Sequence, residues 1–70
     1  MTRDELSEKI LEYLESKYRN TGWPYIHIKE LRSYFYRIDI LPALNDLRIK
    51  GIVRKRENAN GILIELVVSE

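Results

Sequence analysis

The side chains with the clearest chemistry are three consecutive cations, Arg54, Lys55 and Arg56, just before a turn segment of residues 58–61. Guanidinium and ammonium groups bind phosphate oxygens through charge-assisted hydrogen bonds, so such a run beside a turn favours contact with a polyanion. If the segment is a β-strand, Lys55 points away from Arg54 and Arg56, because successive strand residues alternate between faces. The alternative is an edge hairpin whose charges prevent strand-to-strand aggregation.

The charges along the chain are segregated, although the formal net charge is only +1. Residues 29–56 carry eight Lys and Arg against three Asp and Glu, whereas residues 1–28 carry four against five and residues 57–70 carry three Glu alone. A basic middle between acidic flanks indicates one side that faces a polyanion. Solvated faces that happen to differ in charge are the alternative interpretation.

The first 28 residues predict a long helix followed by a short strand. Thr2 and Glu5 form a capping box at the helix start, and residues 20–22 before Pro24 are expected to end it. Residues 25–28 are β-branched and aromatic and predict a brief strand. The apolar and aromatic residues that recur at helical spacing in the first helix are Leu6, Ile10, Leu11, Tyr13, Leu14 and Tyr18.

Two shorter helices are predicted next. Residues 29–35 form the second, and the third is expected to have Asp39 as its N-cap and Pro42 in its first turn. Gly51 can adopt the left-handed conformation that ends a helix. The residues expected to face the core are Ile28, Leu31 and Phe35 for the second helix and Ile40, Leu44 and Leu47 for the third.

A β-hairpin is predicted for the end of the chain. Its strands are residues 52–57 and 62–68, and Asn60 and Gly61 between them are expected to tolerate positive φ. In the second strand, alternation puts Ile62, Ile64, Leu66 and Val68 on one face and Leu63, Glu65 and Val67 on the other. One face would pack on the helices, and the other is only partly polar.

The order helix, short strand, helix, helix, hairpin resembles that of the winged helix-turn-helix superfamily, in particular its small prokaryotic DNA-binding regulators. The resemblance also rests on Leu31 and Phe35 and on the pattern Leu44-x-x-Leu47-x-x-x-Gly51-Ile52-Val53. It covers the whole chain and implies an α+β winged helix in which residues 1–70 are a single domain and the hairpin is the wing. It further implies binding of double-stranded DNA without a cofactor, in transcription regulation or an accessory role.

In such modules the third helix enters the major groove, the wing touches adjacent backbone, and Lys and Arg bind phosphates. On this model Asn45 can read adenine, Lys50 can meet phosphate or guanine, and an outward Asp46 would repel the DNA backbone. The residues assigned to DNA in this way are Lys29, Arg32, Arg37, Asn45, Arg48, Lys50, Arg54, Lys55, Arg56, Asn58 and Asn60.

The alternative function is a winged helix that docks to protein as a subunit of a larger assembly. The outward positions expected for Pro42, Asp46 and Ile49 on the third helix favour it. A purely structural domain that stabilises an oligomer shares the same residues. A homodimer is plausible through the first helix or through the apolar second face of the last strand, at Leu63 and Val67.

No residue pattern indicates an enzyme or a metal site. Cysteine is absent, the sole histidine, His27, has no Cys or Asp beside it, and no serine lies in a strained glycine-flanked turn. Neither catalysis nor a cofactor or metal is expected, and His27 is interpreted as a strand-face residue. Because no apolar run reaches about 20 residues and the N-terminus is charged, a cytoplasmic location is expected.

Three aromatic residues have two interpretations each. For Trp23, beside Pro24, a cap on the core is favoured over an exposed anchor. Tyr34 and Tyr36 flank Phe35 and are expected to point outward, where they could stack on bases or contact a protein. Simple packing is the alternative for both tyrosines.

Overall fold

The computed structural model describes residues 2–68, which form three helices and a three-stranded antiparallel sheet. The elements are α1 (Arg3–Thr21), β1 (Tyr25–His27), α2 (Ile28–Tyr34), α3 (Leu41–Ile49), β2 (Val53–Asn58) and β3 (Gly61–Leu66). This arrangement is α+β, as predicted. Residues 1, 69 and 70 of the predicted domain lie outside the described part of the chain.

Helix α1 begins and ends at the predicted capping residues. Thr2 Oγ1 accepts a hydrogen bond from the Glu5 amide at 3.2 Å, which satisfies one of the free amides of the first turn. At the other end Gly22 has a φ of 70°, and its amide donates to the Tyr18 carbonyl at 2.7 Å. Both predicted ends of this helix are confirmed.

One histidine joins β1 to α2. His27 is the last residue of the strand and the N-cap of the helix, where its Nδ1 accepts a hydrogen bond from the Lys29 amide at 3.1 Å. The predicted strand of residues 25–28 is therefore one residue too long, because Ile28 is the first residue of α2. The capping role of His27 is an addition to the strand-face position that the sequence predicts.

Helix α3 begins one residue later than predicted. Ile40, rather than Asp39, occupies the N-cap position, and the Asp39 carboxylate accepts from the Leu41 amide at 3.2 Å. Pro42 lies in the first turn, where its missing amide hydrogen breaks no helical bond. Gly51 follows the helix with a φ of 76°, so its predicted left-handed conformation is confirmed.

The sheet has the strand order β1-β3-β2, with β3 in the middle. The pairs along β1 are Tyr25 with Glu65, Ile26 with Ile64 and His27 with Leu63, and those along β2 run from Val53 with Leu66 to Asn58 with Gly61. Since β3 is paired along both sides, a homodimer through the last strand would have to use the face of that strand. The two edge strands are β1 and the basic strand β2.

The turn between β2 and β3 differs from the predicted one. Asn58 pairs with Gly61, so the two loop residues are Ala59 and Asn60. Among the described non-glycine residues only Arg37 has a positive φ, so Asn60 does not adopt the left-handed conformation expected of it. Gly61 does, with a φ of 121°. The Asn58 side chain instead holds the turn by accepting from the Asn60 amide at 2.9 Å.

The inner face of the sheet packs against the helices. Alternation along the strands turns Ile26, Val53, Ile62, Ile64 and Leu66 to this face, where all but the half-buried Ile62 are buried. The strands are offset by one or two residues from the predicted ranges 52–57 and 62–68. Val68 is consequently not an inner-face residue, because β3 ends at Leu66 and Val68 is 46% exposed.

A single hydrophobic core receives side chains from all six elements. The largest fully buried side chains are those of Ile10, Leu14, Leu31 and Ile40. Ile40, Leu44 and Leu47 at α3 are buried as predicted, together with Ala43. Burying an aliphatic side chain of this size contributes roughly 1.5–3 kcal/mol before conformational entropy is subtracted. Within residues 2–68, no helix is both long and apolar enough to cross a membrane.

A polar network fixes α2 against α1. Glu30 accepts hydrogen bonds from Lys17 Nζ at 2.6 Å and from the Tyr13 hydroxyl at 3.1 Å, and the Tyr13 ring lies 4.2 Å from that of Tyr34 between centroids. The hydrogen bond from Lys17 holds the pKa of Glu30 below its ordinary value, and burial raises the pKa of Tyr13. Tyr34 and Tyr36 are exposed, as predicted.

Candidate nucleic-acid interface

A groove of about 350 Å³ lies between α2, α3 and the inner side of the hairpin. Three cations from three different elements line it: Arg32 from α2, Arg48 from α3 and Lys55 from β2. Asn45 of α3 joins them. The apolar lining consists of Ile28, Leu41, Leu44, Val53, Ile62 and Ile64. The fold thus brings together four of the residues that the sequence assigns to DNA.

Each cation reaches the groove because of its spacing from buried neighbours. Arg32 follows Ile28 by four residues, and Arg48 follows Leu44 by four, so each lies one helical turn beyond a core side chain on nearly the same side of its helix. Lys55 lies on the inner face of β2, opposite the buried Ile64 of β3. Core packing therefore sets the direction of all three basic side chains.

Asn45 and Arg48 form a hydrogen-bonded pair on α3. Arg48 Nη2 donates to Asn45 Oδ1 at 2.8 Å. A guanidinium has five N–H donors, so this bond leaves Arg48 others for a phosphate. A bidentate contact with adenine uses both polar atoms of an asparagine side chain, so base reading by Asn45 requires Arg48 to release its oxygen. The pair is better arranged for binding a backbone than for reading a base.

Asp46 does not project outward, contrary to the prediction. It is half-buried, and its Oδ2 lies 3.0 Å from the Nε of Arg3 at the start of α1. The carboxylate is turned toward a counter-charge, so the repulsion expected between Asp46 and a DNA backbone is reduced. The outward side of α3 instead carries apolar groups, with Leu41 exposed at 49% and Ile49 at 74%.

The three hairpin cations lie on two faces of the sheet, which confirms the predicted alternation. The register with β3 puts Lys55 on the inner face and Arg54 and Arg56 on the outer one. Lys55 Nζ lies 3.0 Å from Glu57 Oε1, but both side chains are solvent-exposed and such pairs are weak. At the edge of β2 the cations of both faces line one shallow depression, which Arg48 also lines.

On the outer face, Arg56 is held by a carboxylate. Its Nε donates to Glu65 Oε1 at 2.8 Å, and the Glu65 side chain is only 16% exposed. This hydrogen bond raises the pKa of Arg56 and lowers the pKa of Glu65. Arg54, by contrast, forms no ion pair with any residue in the described range 2–68. Arg54 is therefore the more available cation of this face.

The remaining residues assigned to DNA lie outside the lining of the groove. They are Lys29 in the first turn of α2, Arg37 in the connection to α3, Lys50 at the end of α3, and Asn58 and Asn60 at the hairpin turn. Arg37 has a φ of 64°, and its guanidinium carbon lies 5.4 Å from the centroid of the Tyr36 ring. Lys50 lines a depression with Asp4 and Glu8 of α1, on the other side of α3.

The contact between His27 and the hairpin turn has no counterpart among the predictions. His27 Nδ1 accepts from the Lys29 amide, so Nε2 carries the proton and donates to the Asn60 carbonyl at 2.9 Å. Gly61 lies against the same ring, and a β-carbon there would be 2.9 Å from Nε2. A histidine just before a predicted helix could have suggested the cap, but its bond to Asn60 has no local signal.

Trp23 is exposed and does not cap the core, contrary to the favoured prediction. Its side chain is 62% exposed, and its ring lies against that of Tyr25 with centroids 5.2 Å apart. The Trp23 amide donates to Thr21 Oγ1 at 3.1 Å, and the Pro24 carbonyl accepts from the Leu66 amide at 2.9 Å. The main chain on both sides of the tryptophan is thus fixed, and the ring projects beside the outer face of the sheet.

Comparisons with known proteins gave no match for this chain. No protein-family model matches it, and no curated protein or solved structure is significantly similar to it. The residues and geometry described above are therefore the basis for the function proposed below.

Proposed function

We propose that this chain is a small winged-helix protein that binds double-stranded DNA through the groove between α3 and the hairpin. The order of its helices and strands is compatible with that fold, with α3 as the recognition helix and the hairpin as the wing. The observation that carries the proposal is the convergence of Arg32, Arg48 and Lys55 on one groove. We further propose that the protein acts in the cytoplasm in transcription regulation or as an accessory factor. DNA binding in this role needs no cofactor.

Phosphate contacts supply most of the affinity in this proposal. Arg32 binds the DNA backbone from α2, Arg48 from α3 and Lys55 from the wing, and each contact releases condensed counterions from the DNA. Base reading is limited, because Asn45 is engaged by Arg48. Exposed Leu41 and Ile49 on α3 can contact thymine methyl groups in the major groove. We therefore expect DNA affinity to depend strongly on salt and weakly on sequence.

The second candidate is a winged helix that docks to protein. Its support is the apolar outward side of α3, where Leu41 and Ile49 are exposed, together with the apolar lining of the groove. A protein partner would cover these side chains and gain from their burial. This candidate predicts no affinity for DNA even at low salt, so one titration separates the two functions.

The test is the fluorescence anisotropy of a labelled blunt duplex, measured over a series of salt concentrations. Arg48→Ala and Lys55→Ala should each weaken binding and reduce the slope of log affinity against log salt by about one. Arg19→Ala is the matched control, because Arg19 lies in the last turn of α1 and lines a different depression. Absence of binding at low salt, or an equal loss in the control, would contradict the proposal.

A further inference from the structure

The outer face of the sheet carries an aromatic pair, in which Trp23 is exposed and Tyr25 is half-buried. Single exposed apolar side chains are common and need no explanation, but Trp23 and Tyr25 are in contact, with 57° between their ring planes. Trp23 follows the left-handed Gly22 and donates its amide to Thr21, and Tyr25 lies in β1, so both rings project from an ordered main chain. The pair is a preformed surface on which a flat ligand can stack.

The same face carries two arginines, on the strand at the other side of the sheet from Tyr25. The register aligns Tyr25 of β1, Glu65 of β3 and Arg54 of β2 in one row across the sheet. Residues aligned in this way point to one face, and two strand spacings separate the backbones of Tyr25 and Arg54 by about 10 Å. Arg56 belongs to the next row on that face.

On this face two arginines, Arg54 and Arg56, share a single carboxylate, that of Glu65. Glu65 lies between the aromatic pair and the arginines, but its carboxylate is bound by Arg56 at 2.8 Å. Arg54 has no carboxylate partner within residues 2–68. An apolar protein partner would remove Arg54 from water while the Glu65 carboxylate opposite it is already bound by Arg56, which is unfavourable. A ligand that combines a flat ring with an anion complements both parts of the face.

We propose that the outer face of the sheet binds unpaired nucleotides, with a base stacked on Trp23 and Tyr25 and a neighbouring phosphate bound by Arg54. Every base has a π-face, so stacking on aromatic side chains tolerates any sequence, and arginine binds phosphate through paired N–H donors. Bases inside a duplex are stacked on each other and do not offer their faces. The site therefore selects single-stranded nucleic acid, on the side of the sheet opposite the groove.

The experiment uses Trp23 as a reporter, because it is the only tryptophan of the chain. The full chain is titrated at low salt with short oligo(dT) and oligo(U), and tryptophan emission is followed. Quenching by either oligonucleotide, weakened by added salt, is the expected result, and a difference between the two shows whether the sugar contributes. No change in emission with either one would overturn the proposal.

Two charge-removing variants assign the site. Arg54→Ala should weaken single-strand binding by about tenfold, the effect of a lost hydrogen bond to a charged group, whereas Lys9→Ala, at an exposed position of α1, should leave it unchanged. Equal losses in both variants would overturn the proposal, since they would indicate unspecific attraction. Tyr25→Leu, followed by the anisotropy of labelled oligonucleotide, should weaken binding roughly 5- to 100-fold through lost stacking.

One further outcome assigns the face to a different occupant. If tryptophan emission changes on dilution of the protein alone and oligonucleotides have no effect, the face is a contact between two copies of the chain, and the proposal is overturned. The inference goes beyond the proposed function and is separable from it. If the chain does not bind duplex DNA but oligo(dT) still quenches the emission of Trp23, the function proposed for the groove is refuted and the inference about the outer face is supported.

Discussion

The two faces of the sheet carry the same kind of cation in different surroundings. On the inner face Lys55 joins Arg32 and Arg48 along a groove with an apolar lining. On the outer face Arg54 shares an open surface with the Trp23–Tyr25 pair. Neighbouring residues of one strand thus lie on two different surfaces, and we propose that the surroundings, more than the charges themselves, determine which ligand each surface fits.

The comparison also shows what a run of charges in a sequence can mean. Arg54, Lys55 and Arg56 look like one basic motif, but alternation divides them, and Glu65 then engages Arg56. A charge-protected edge strand explains the exposed edge of β2. It does not explain why Arg32 and Arg48 lie beside Lys55 in one groove.

The largest expected effect distinguishes the packed face of β3 from the open one. Ile64 is 3% exposed on the inner face, and its neighbour Leu63 is half-buried on the outer face. Ile64→Ala should lower the free energy of unfolding by about 2–5 kcal/mol, and Leu63→Ala by less than half as much, as measured by chemical denaturation. Equal losses would show that the outer face is as tightly packed as the inner one, and the contrast between the faces would fail.

A smaller effect is expected where the hairpin turn meets His27. Gly61→Ala should lower the free energy of unfolding by about 1–3 kcal/mol, because φ is 121° and the new β-carbon would lie 2.9 Å from His27 Nε2. Gly51→Ala is the matched control, since φ is 76° but no atom lies within 4 Å of the added carbon. The difference between the two variants in thermal melting reports the contact with His27 together with the larger backbone strain at a φ of 121°. If both melt alike, that contact does not position the hairpin.

A variant at the contact between α2 and α1 tests whether binding merely follows stability. Glu30→Gln should lower the free energy of unfolding at pH 7 by about 0.5 kcal/mol, a value typical of solvent-screened pairs. Because the folded pKa of Glu30 is lowered, its contribution is present above the unfolded pKa of about 4.3 and is lost as pH falls through the folded pKa. Denaturation of both proteins across this pH range should show the difference disappearing in acid.

Neither duplex nor single-strand affinity should change in Glu30→Gln at pH 7. A change in either would mean that α2 transmits the state of its contact with α1 to a binding face.

The smallest effect is expected at Ser7. Its hydroxyl is buried in α1 and has no hydrogen-bond partner within the described residues. Ser7→Ala should leave stability unchanged or raise it by up to about 1 kcal/mol, because an unsatisfied polar group is removed. Thermal melting measures the change. A clear loss of stability would indicate that the hydroxyl has a partner, and the variant would then be unsuitable as a silent control for the two faces.

Local signals predicted most of the elements. The Thr2 cap, the end of α1 at residues 20–22, the left-handed Gly51 and the buried stripe of α3 all depend on residues within a few positions of each other, and these predictions are confirmed. The alternation of Arg54, Lys55 and Arg56 between the two faces of the sheet likewise follows from the local geometry of a strand. Errors of one or two residues occur at the strand ends and at Asp39, where the neighbouring Ile40 occupies the N-cap position.

The features that the sequence did not predict depend on contacts between distant residues. Asp46 turns away from the outward side of α3 because Arg3 lies beside it. The central position of β3 and the bond from His27 to Asn60 arise only when β1 pairs with the hairpin. The exposure of Trp23 follows from the fixed path of the chain between α1 and β1. The convergence of Arg32, Arg48 and Lys55 on one groove likewise depends on how α2, α3 and the hairpin pack together.

The most direct test of two separate faces uses both ligands at once. The protein is saturated with a blunt duplex at low salt and then titrated with oligo(dT), while the emission of Trp23 is recorded. We predict that the duplex alone leaves the emission unchanged and that oligo(dT) quenches it at nearly the same midpoint with and without duplex. A midpoint that rises in proportion to the duplex concentration would show that both ligands compete for one surface, and would contradict the division of the hairpin into two binding faces.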